Sequence, residues 1–274
     1  MKIIIHILTL MLVSCTHVFF QPDRIHYYDP ALQGVHDFED MYFGSYDNLK
    51  LHAQYLKGEK NKKGLLVHFH GNAENLSSHF MHFLWLPKFG YDYFIFDYRG
   101  YGRSWGKPSF DGAIADGKEA LDVAWKLFKK EGYEKFIVYG QSLGGPILLK
   151  SLQKFKHAAE IDLLVLDSTF VDYKKEAFDV LSGNAVTFLF SPLAFMLVSN
   201  THSPRKDLAA INIPTLVIHG KKDRTVDFHH GEYIFNNLKT KKWFWPIEKG
   251  RHTDIFFNGK KEYRKKFVDF IDSL

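Results

Sequence analysis

Near-continuous apolar runs punctuate the chain at Leu65–Phe69, Tyr93–Phe96, Phe136–Tyr139, Leu163–Leu166 and Thr215–Ile218. Short runs of this kind, without alternation, predict strands buried on both faces. Between them lie segments with helical spacing, such as Gly112–Lys130, where Ile114, Ala120, Leu121, Ala124, Trp125 and Phe128 share a face. Strands alternating with helices imply right-handed crossovers, hence an α/β fold with a mainly parallel central sheet and helices on both faces. Ahead of this pattern, Asp37–Phe43 and Leu49–Leu56 alternate in part around Gly44-Ser45-Tyr46-Asp47-Asn48 and predict an antiparallel hairpin. One domain is expected over residues 35–274. Residues 169–208 separate two strands by more than an ordinary connection. Their apolar segments, Ala185–Phe190 and Pro192–Val198, fit a small lid that shapes a pocket or helices packed on the core.

The N-terminus follows a different pattern. Met1-Lys2 is basic, Ile3–Val13 is almost wholly apolar, and Ser14-Cys15 closes the run. It is too short for a spanning helix, which needs about 20 apolar residues, but suits the core of a secretory signal. Leu12-Val13-Ser14-Cys15 resembles the lipobox of bacterial lipoproteins. That resemblance implies a signal peptide over residues 1–14, cleavage before Cys15, a lipid anchor on its thiol and a membrane-tethered place in the bacterial cell envelope. An ordinary secretory signal, giving a secreted or periplasmic protein, or an uncleaved anchor with a chance cysteine, is the alternative. Cys15 is the single cysteine, so no disulfide is expected within the chain. Residues 15–34, interrupted by Pro22 and Pro30, read as a tether or extended arm.

With 274 residues, 46% of them hydrophobic, the chain can bury a large core. A net charge of +5 is modest, and the cluster Lys260, Lys261, Arg264, Lys265 and Lys266 lies opposite Phe267, Phe270 and Ile271. That arrangement is the solvated face of an amphipathic helix, which argues against nucleic acid as a partner. Oligomeric state is left open.

The strand ending at Tyr139 runs into Gly140-Gln141-Ser142-Leu143-Gly144, and a helix-like segment follows. A tight strand-to-helix turn of this kind holds a serine hydroxyl out at the edge of a sheet. A nucleophilic serine needs a base and a carboxylate to orient that base. Asp223 follows the Thr215–Ile218 strand through a glycine-containing loop, with Asp227 and Asp167 as reserve acids. His252 follows the apolar Trp243–Ile247 run, and the order Ser142, Asp223, His252 is that of nucleophile, acid and base in hydrolases with such an elbow. For an oxyanion hole the candidates are the backbone N–H groups of Leu143 and of Asn72, the latter in the His70-Gly71-Asn72 loop after the first long strand. His68 and His70 lack a supporting carboxylate or cysteine cluster, so no metal site is expected there.

These elements together resemble the α/β-hydrolase superfamily over roughly Asp37 to Leu274. The His-Gly-Asn loop, Asp97-Tyr98-Arg99-Gly100-Tyr101-Gly102, the elbow and the terminal acid and base loops are similar to a short-lid branch that includes depalmitoylase-like and monoacylglycerol-lipase-like enzymes. The resemblance implies a structural role for Asp97 and Arg99 and cleavage of carboxylic esters or thioesters, for which no metal or organic cofactor is needed; it does not fix the substrate, and the apolar lid segment points to acyl, lipid-like groups. A serine peptidase acting on short peptides and a non-catalytic lipid-binding protein are the alternatives. Arg251, beside the base, either biases the site toward acidic or phosphate-bearing substrates or is simply exposed.

Overall fold

The computed structural model describes residues 19–58, 62–183, 185–256 and 261–274. Cys15 and the signal-like run lie outside them. An antiparallel hairpin of β2 (Phe38–Gly44) and β3 (Lys50–Leu56) leads into β4 (Gly64–Phe69), β6 (Tyr91–Phe96), β7 (Lys135–Gln141), β8 (Leu163–Asp167), β9 (Thr215–Gly220) and β10 (Lys242–Ile247). These eight strands form one sheet in the order β2-β3-β6-β4-β7-β8-β9-β10. Pairing is parallel from β6 through β10 and antiparallel at β2/β3 and β3/β6. The hairpin and the α/β class expected from the apolar pattern are both present.

Alternate residues of the buried strands feed two cores, one on each face of the sheet. Leu65, Val67 and Phe69 join Phe136 and Val138 on one side, while Leu66 joins Ile137 and Tyr139 on the other. This is why the strands read as unbroken apolar runs: both faces are covered by helices. The helices are the one-turn α1 (Leu76–His79), α2 (Phe110–Glu131), α3 (Gly144–Leu152), α4 (Tyr173–Ser182), the one-turn α5 (Ala194–Leu197), α6 (Phe228–Asn237) and α7 (Lys261–Asp272). α2 starts where Ser109 Oγ accepts the Gly112 N–H and stops at Gly132, whose φ of 72° suits a residue without a β-carbon. Among the described residues, no helix is long and apolar enough to cross a membrane.

The strand order reverses beside β4, which lies between β6 and β7. In open α/β sheets such a switch point opens a crevice at the carboxyl ends of the strands. Two features flank it here. The connection from β8 to β9 carries α4, a 3-10 turn at Phe188–Leu193, α5 and a second 3-10 turn at Arg205–Ala210. Its two ends are stapled by Asp172, which accepts the Lys175 N–H, the Asn200 amide and the Arg205 guanidinium. The second feature is the arm before Val35, which is docked rather than free. Phe19 and Phe20 are buried, and Phe19 packs edge-on against Tyr173. Gln21–Pro22 forms β1, paired in parallel with β5 (Ala73–Glu74). Burying one such phenylalanine is worth roughly 1.5–3 kcal/mol, so the domain begins at least sixteen residues earlier than hydrophobic patterning alone suggests, at about Phe19.

Candidate active site

The elbow is built by steric necessity. Ser142 has φ 49°, a left-handed conformation that costs a non-glycine residue of order 1–3 kcal/mol and persists only where its surroundings enforce it. The Ser142 N–H donates to the Asp167 carbonyl, and its own carbonyl accepts the Thr169 hydroxyl at 2.6 Å and the Gly145 N–H at 3.0 Å. Close approach explains the flanking glycines. A β-carbon on Gly144 would lie 2.0 Å from the Phe69 carbonyl oxygen, and one on Gly145 would lie 2.1 Å from Thr169 Oγ1.

Three side chains from three loops meet at this turn. His252 Nε2 lies 3.1 Å from Ser142 Oγ, and its Nδ1 lies 2.7 Å from Asp223 Oδ2. Asp223 is buried and is itself oriented, its Oδ1 accepting the N–H groups of Thr225 and Val226. The His252 loop is fastened next door, where the Thr253 N–H donates to Ser168 Oγ at 3.2 Å. Sequence reasoning thus named residues that the fold brings into contact from positions 29 and 110 apart.

Neither reserve acid reaches His252 by a hydrogen bond among the described residues. Asp167 accepts the Tyr139 and Ser168 hydroxyls, and burial pushes its carboxyl up to about 6. Asp227 caps α6 by accepting the His229 N–H. Asp97 accepts the Leu76 N–H, and Arg99 forks onto Asp116 with further bonds to Asp47. Both therefore hold the loop after β6. Arg251 is exposed.

Ser142 and His252 open into a cavity of about 870 Å³, within the usual range for small-molecule sites. Asn72 and Leu143 line it too. Among the described residues no protein acceptor takes the backbone N–H of either one, while the Asn72 side chain is engaged by the arm, accepting the Gln21 N–H at 2.7 Å. The arm thereby holds the loop that presents the Asn72 amide. Most of the remaining wall is apolar, with Phe19, Phe170, Leu181, Phe190, Leu193 and Val198 contributing.

Sequence reading missed the polar network behind the elbow. The Gln141 carboxamide sits among three imidazoles, 3.0 Å from His68 Nε2, 3.2 Å from His79 Nδ1 and 2.8 Å from His82 Nε2. Burial drives His79 down to about 3 and His82 to about 4, and holds His68 well below the ordinary imidazole value. All three are neutral at pH 7 and position the residue before Ser142. The three-residue spacing of His79 and His82 was the available signal; their partner lies 59 residues from His82. Also missed was Glu176, a cavity-lining residue of α4 whose carboxyl is pushed up to about 8 by burial and then by the charges of Asp179 and Asp223.

Residues 60–201 match the Hydrolase_4 family, described as "Serine aminopeptidase, S33". The chain belongs to this α/β-hydrolase family. The matched span includes the elbow and the Asn72 loop but ends before Asp223 and His252, which the geometry above supplies. Over 94% of its length the hydrolase is 29% identical to the uncharacterized protein YfhR of Escherichia coli, covering 87% of that protein. It is 26% identical to alpha/beta hydrolase domain-containing protein 17B of Homo sapiens, over 81% of this chain and 71% of that one. In fold, the hydrolase resembles an esterase from Pyrococcus furiosus, with a TM-score of 0.74 at 21% identity over 93% of this chain and 98% of the other. It also resembles a soluble variant of monoglyceride lipase from Saccharomyces cerevisiae, with a TM-score of 0.64 at 18% identity over 86% and 97%.

Proposed function

We propose that the protein is a serine hydrolase that cleaves carboxylic esters or thioesters of acyl, lipid-like substrates through an acyl-enzyme on Ser142. The observation that carries this reading is the Ser142–His252–Asp223 chain at the wall of an apolar cavity. His252 Nε2 takes the Ser142 proton as the hydroxyl attacks the acyl carbon, and the imidazolium then donates that proton to the departing alcohol or thiol. Asp223 holds the ring by Nδ1 and stabilises its charged form. The Asn72 and Leu143 N–H groups receive the oxyanion. Water activated by the same His252 then releases the acid and restores Ser142.

The 169–208 connection serves as a lid in this reading. Exposed Phe188, Leu189, Phe195 and Met196, together with the apolar wall, support an acyl chain rather than a polar headgroup in the cavity. A membrane tether through a lipid on Cys15 in the bacterial cell envelope fits that substrate class, because the arm enters the fold at Phe19 beside the cavity. Replacing Cys15 with Ala should release the protein from membranes; unchanged lipid labelling would remove the tether from the proposal.

Fluorophosphonate labelling and turnover of a p-nitrophenyl ester chain-length series test the reaction itself. Ser142→Ala should abolish both, and turnover should rise from acetyl toward longer chains. Persistent turnover in Ser142→Ala would sink the proposed nucleophile. The description of the family favours a second reading, hydrolysis of short peptides from the amino end, by the same three side chains. Strong aminopeptidase activity with negligible esterase activity would put that reading first.

A further inference from the structure

A second cluster of reactive side chains runs outward from the cavity wall at Glu176, where α4 packs on the first turn of α6. Glu176 and Asp179, one turn apart on α4, face the adjacent histidines 229 and 230. Asp179 Oδ2 lies 3.0 Å from His230 Nε2 and 3.2 Å from His229 Nε2, and Glu176 Oε2 lies 3.3 Å from His230 Nε2. Four ligands placed about 2.0–2.1 Å from a tetrahedral zinc ion would be separated by roughly 3.3–3.4 Å along each edge. Asp179 Oδ2 stands near that distance from both imidazoles, and the ligand atoms of Asp179, His229 and His230 lie within 4.8 Å of one another.

Hydrogen bonding in the cluster leaves two polar atoms of the kind a cation can satisfy. Glu176 is 5% exposed, and among the described residues its Oε2 is buried without a hydrogen-bond partner, as is His229 Nε2. Buried polar atoms left in this state are uncommon and costly. The outer contacts are those of a metal-ligating histidine: Asp227 Oδ1 sits 2.7 Å from His229 Nδ1, which fixes the tautomer that turns a lone pair on Nε2 toward the cluster. Charge is favourable as well. Among the described residues, the carboxylates of Asp179 and Asp227 face one ammonium, Lys175, which bonds the outer oxygen Oδ1 of Asp179 and leaves Oδ2 to the cluster.

We propose that Asp179, His229 and His230 bind one divalent transition-metal ion, zinc by ligand chemistry, that pins α4 to α6 beside Glu176. Two imidazoles with one carboxylate suit zinc better than magnesium or calcium, which take oxygen ligands. The ion lies outside the Ser142–His252–Asp223 chain and does no chemistry in ester cleavage. Its effect is mechanical. Ala177, Val180 and Leu181 of α4 line the cavity, and α6 follows the loop that carries Asp223, so the ion clamps the substrate-facing wall to the acid loop.

Titration of the metal-stripped full chain with zinc alone, by calorimetry and by metal analysis after dialysis, reads this site independently of catalysis. Wild type should bind one equivalent with a raised thermal midpoint, and cobalt should give the visible absorption of a tetrahedral centre. Asp179→Asn and His229→Gln should each weaken binding at least tenfold. Asp227→Asn, at a half-exposed position outside the ligand set, should weaken it about tenfold and serves where a ligand variant does not fold. Lys175→Met, which removes the competing ammonium, should tighten it severalfold. Absence of stoichiometric zinc binding, or binding that none of these four substitutions alters, would overturn the proposal.

Discussion

The two walls of the cavity are made in opposite ways. On the sheet side, the turn from β7 to α3 has no slack: its glycines touch backbone oxygens and side chains at distances that exclude a single methyl group. On the lid side, the segment after α4 leaves Leu189 and Met196 about four-fifths exposed, 82% and 80%. One wall tolerates almost no substitution and the other very many. The positions around Ser142 are thus set by close packing, whereas Leu189 and Met196 on the outer side of the lid meet almost no packing constraint.

The sharpest probe of the rigid wall is the choice of acid. Asp223→Asn should lower turnover by about 10⁴ by stabilising the wrong tautomer of His252, whereas Asp167→Asn should cost less than tenfold in kcat. Equal losses would mean that the two carboxylates share the role. Next in size, Gly145→Val should destabilise the fold by about 1–3 kcal/mol or prevent folding, measured by urea denaturation. A variant as stable as wild type would show that the elbow has room after all.

The histidines behind Gln141 connect this wall to pH. His82 ionises near 6.5 when unfolded but only near 4 when folded, so between those values the unfolded chain binds the extra proton. Stability present above pH 6.5 should be lost as pH falls toward 4, by up to about 1.4 kcal/mol per pH unit for each such histidine. Asp167, raised to about 6, opposes this with stability lost as pH rises through 6, but His79, lowered to about 3, acts with His82. His82→Gln should flatten the wild-type slope by one imidazole's share; an unchanged slope would remove His82 from the account. The smallest effect belongs to the lid. Leu189→Ser with Met196→Ser should reduce binding to phospholipid vesicles severalfold and leave turnover of a soluble acetyl ester within twofold. A large loss on the acetyl ester would mean that these side chains also support the rigid wall.

The difference between the walls also explains what could be read in advance. Strands, hairpin, elbow and the order of Ser142, Asp223 and His252 were legible because each is a local pattern set into a fold with a fixed strand order. The Gln141 network was not, because its imidazoles arrive from β4, α1 and the residues after it. The docking of Phe19 and Phe20 was hidden for the same reason: two aromatic residues in a segment that reads as a tether show no partner until Phe110 and Tyr173 are seen against them. The facing of Glu176 and Asp179 by His229 and His230 joins helices some fifty residues apart, and no periodicity in either helix announces the other.

By itself, the sequence determined the α/β alternation, the strained serine turn and the identity of the residues that could serve it, since these follow from side-chain period and the sterics of neighbouring residues. Only the tertiary structure decided which of three carboxylates meets His252, that the arm braces the Asn72 loop, and that a second polar cluster lies between α4 and α6. Those outcomes depend on distances between segments remote in the chain, which packing of the two cores fixes and local pattern does not contain.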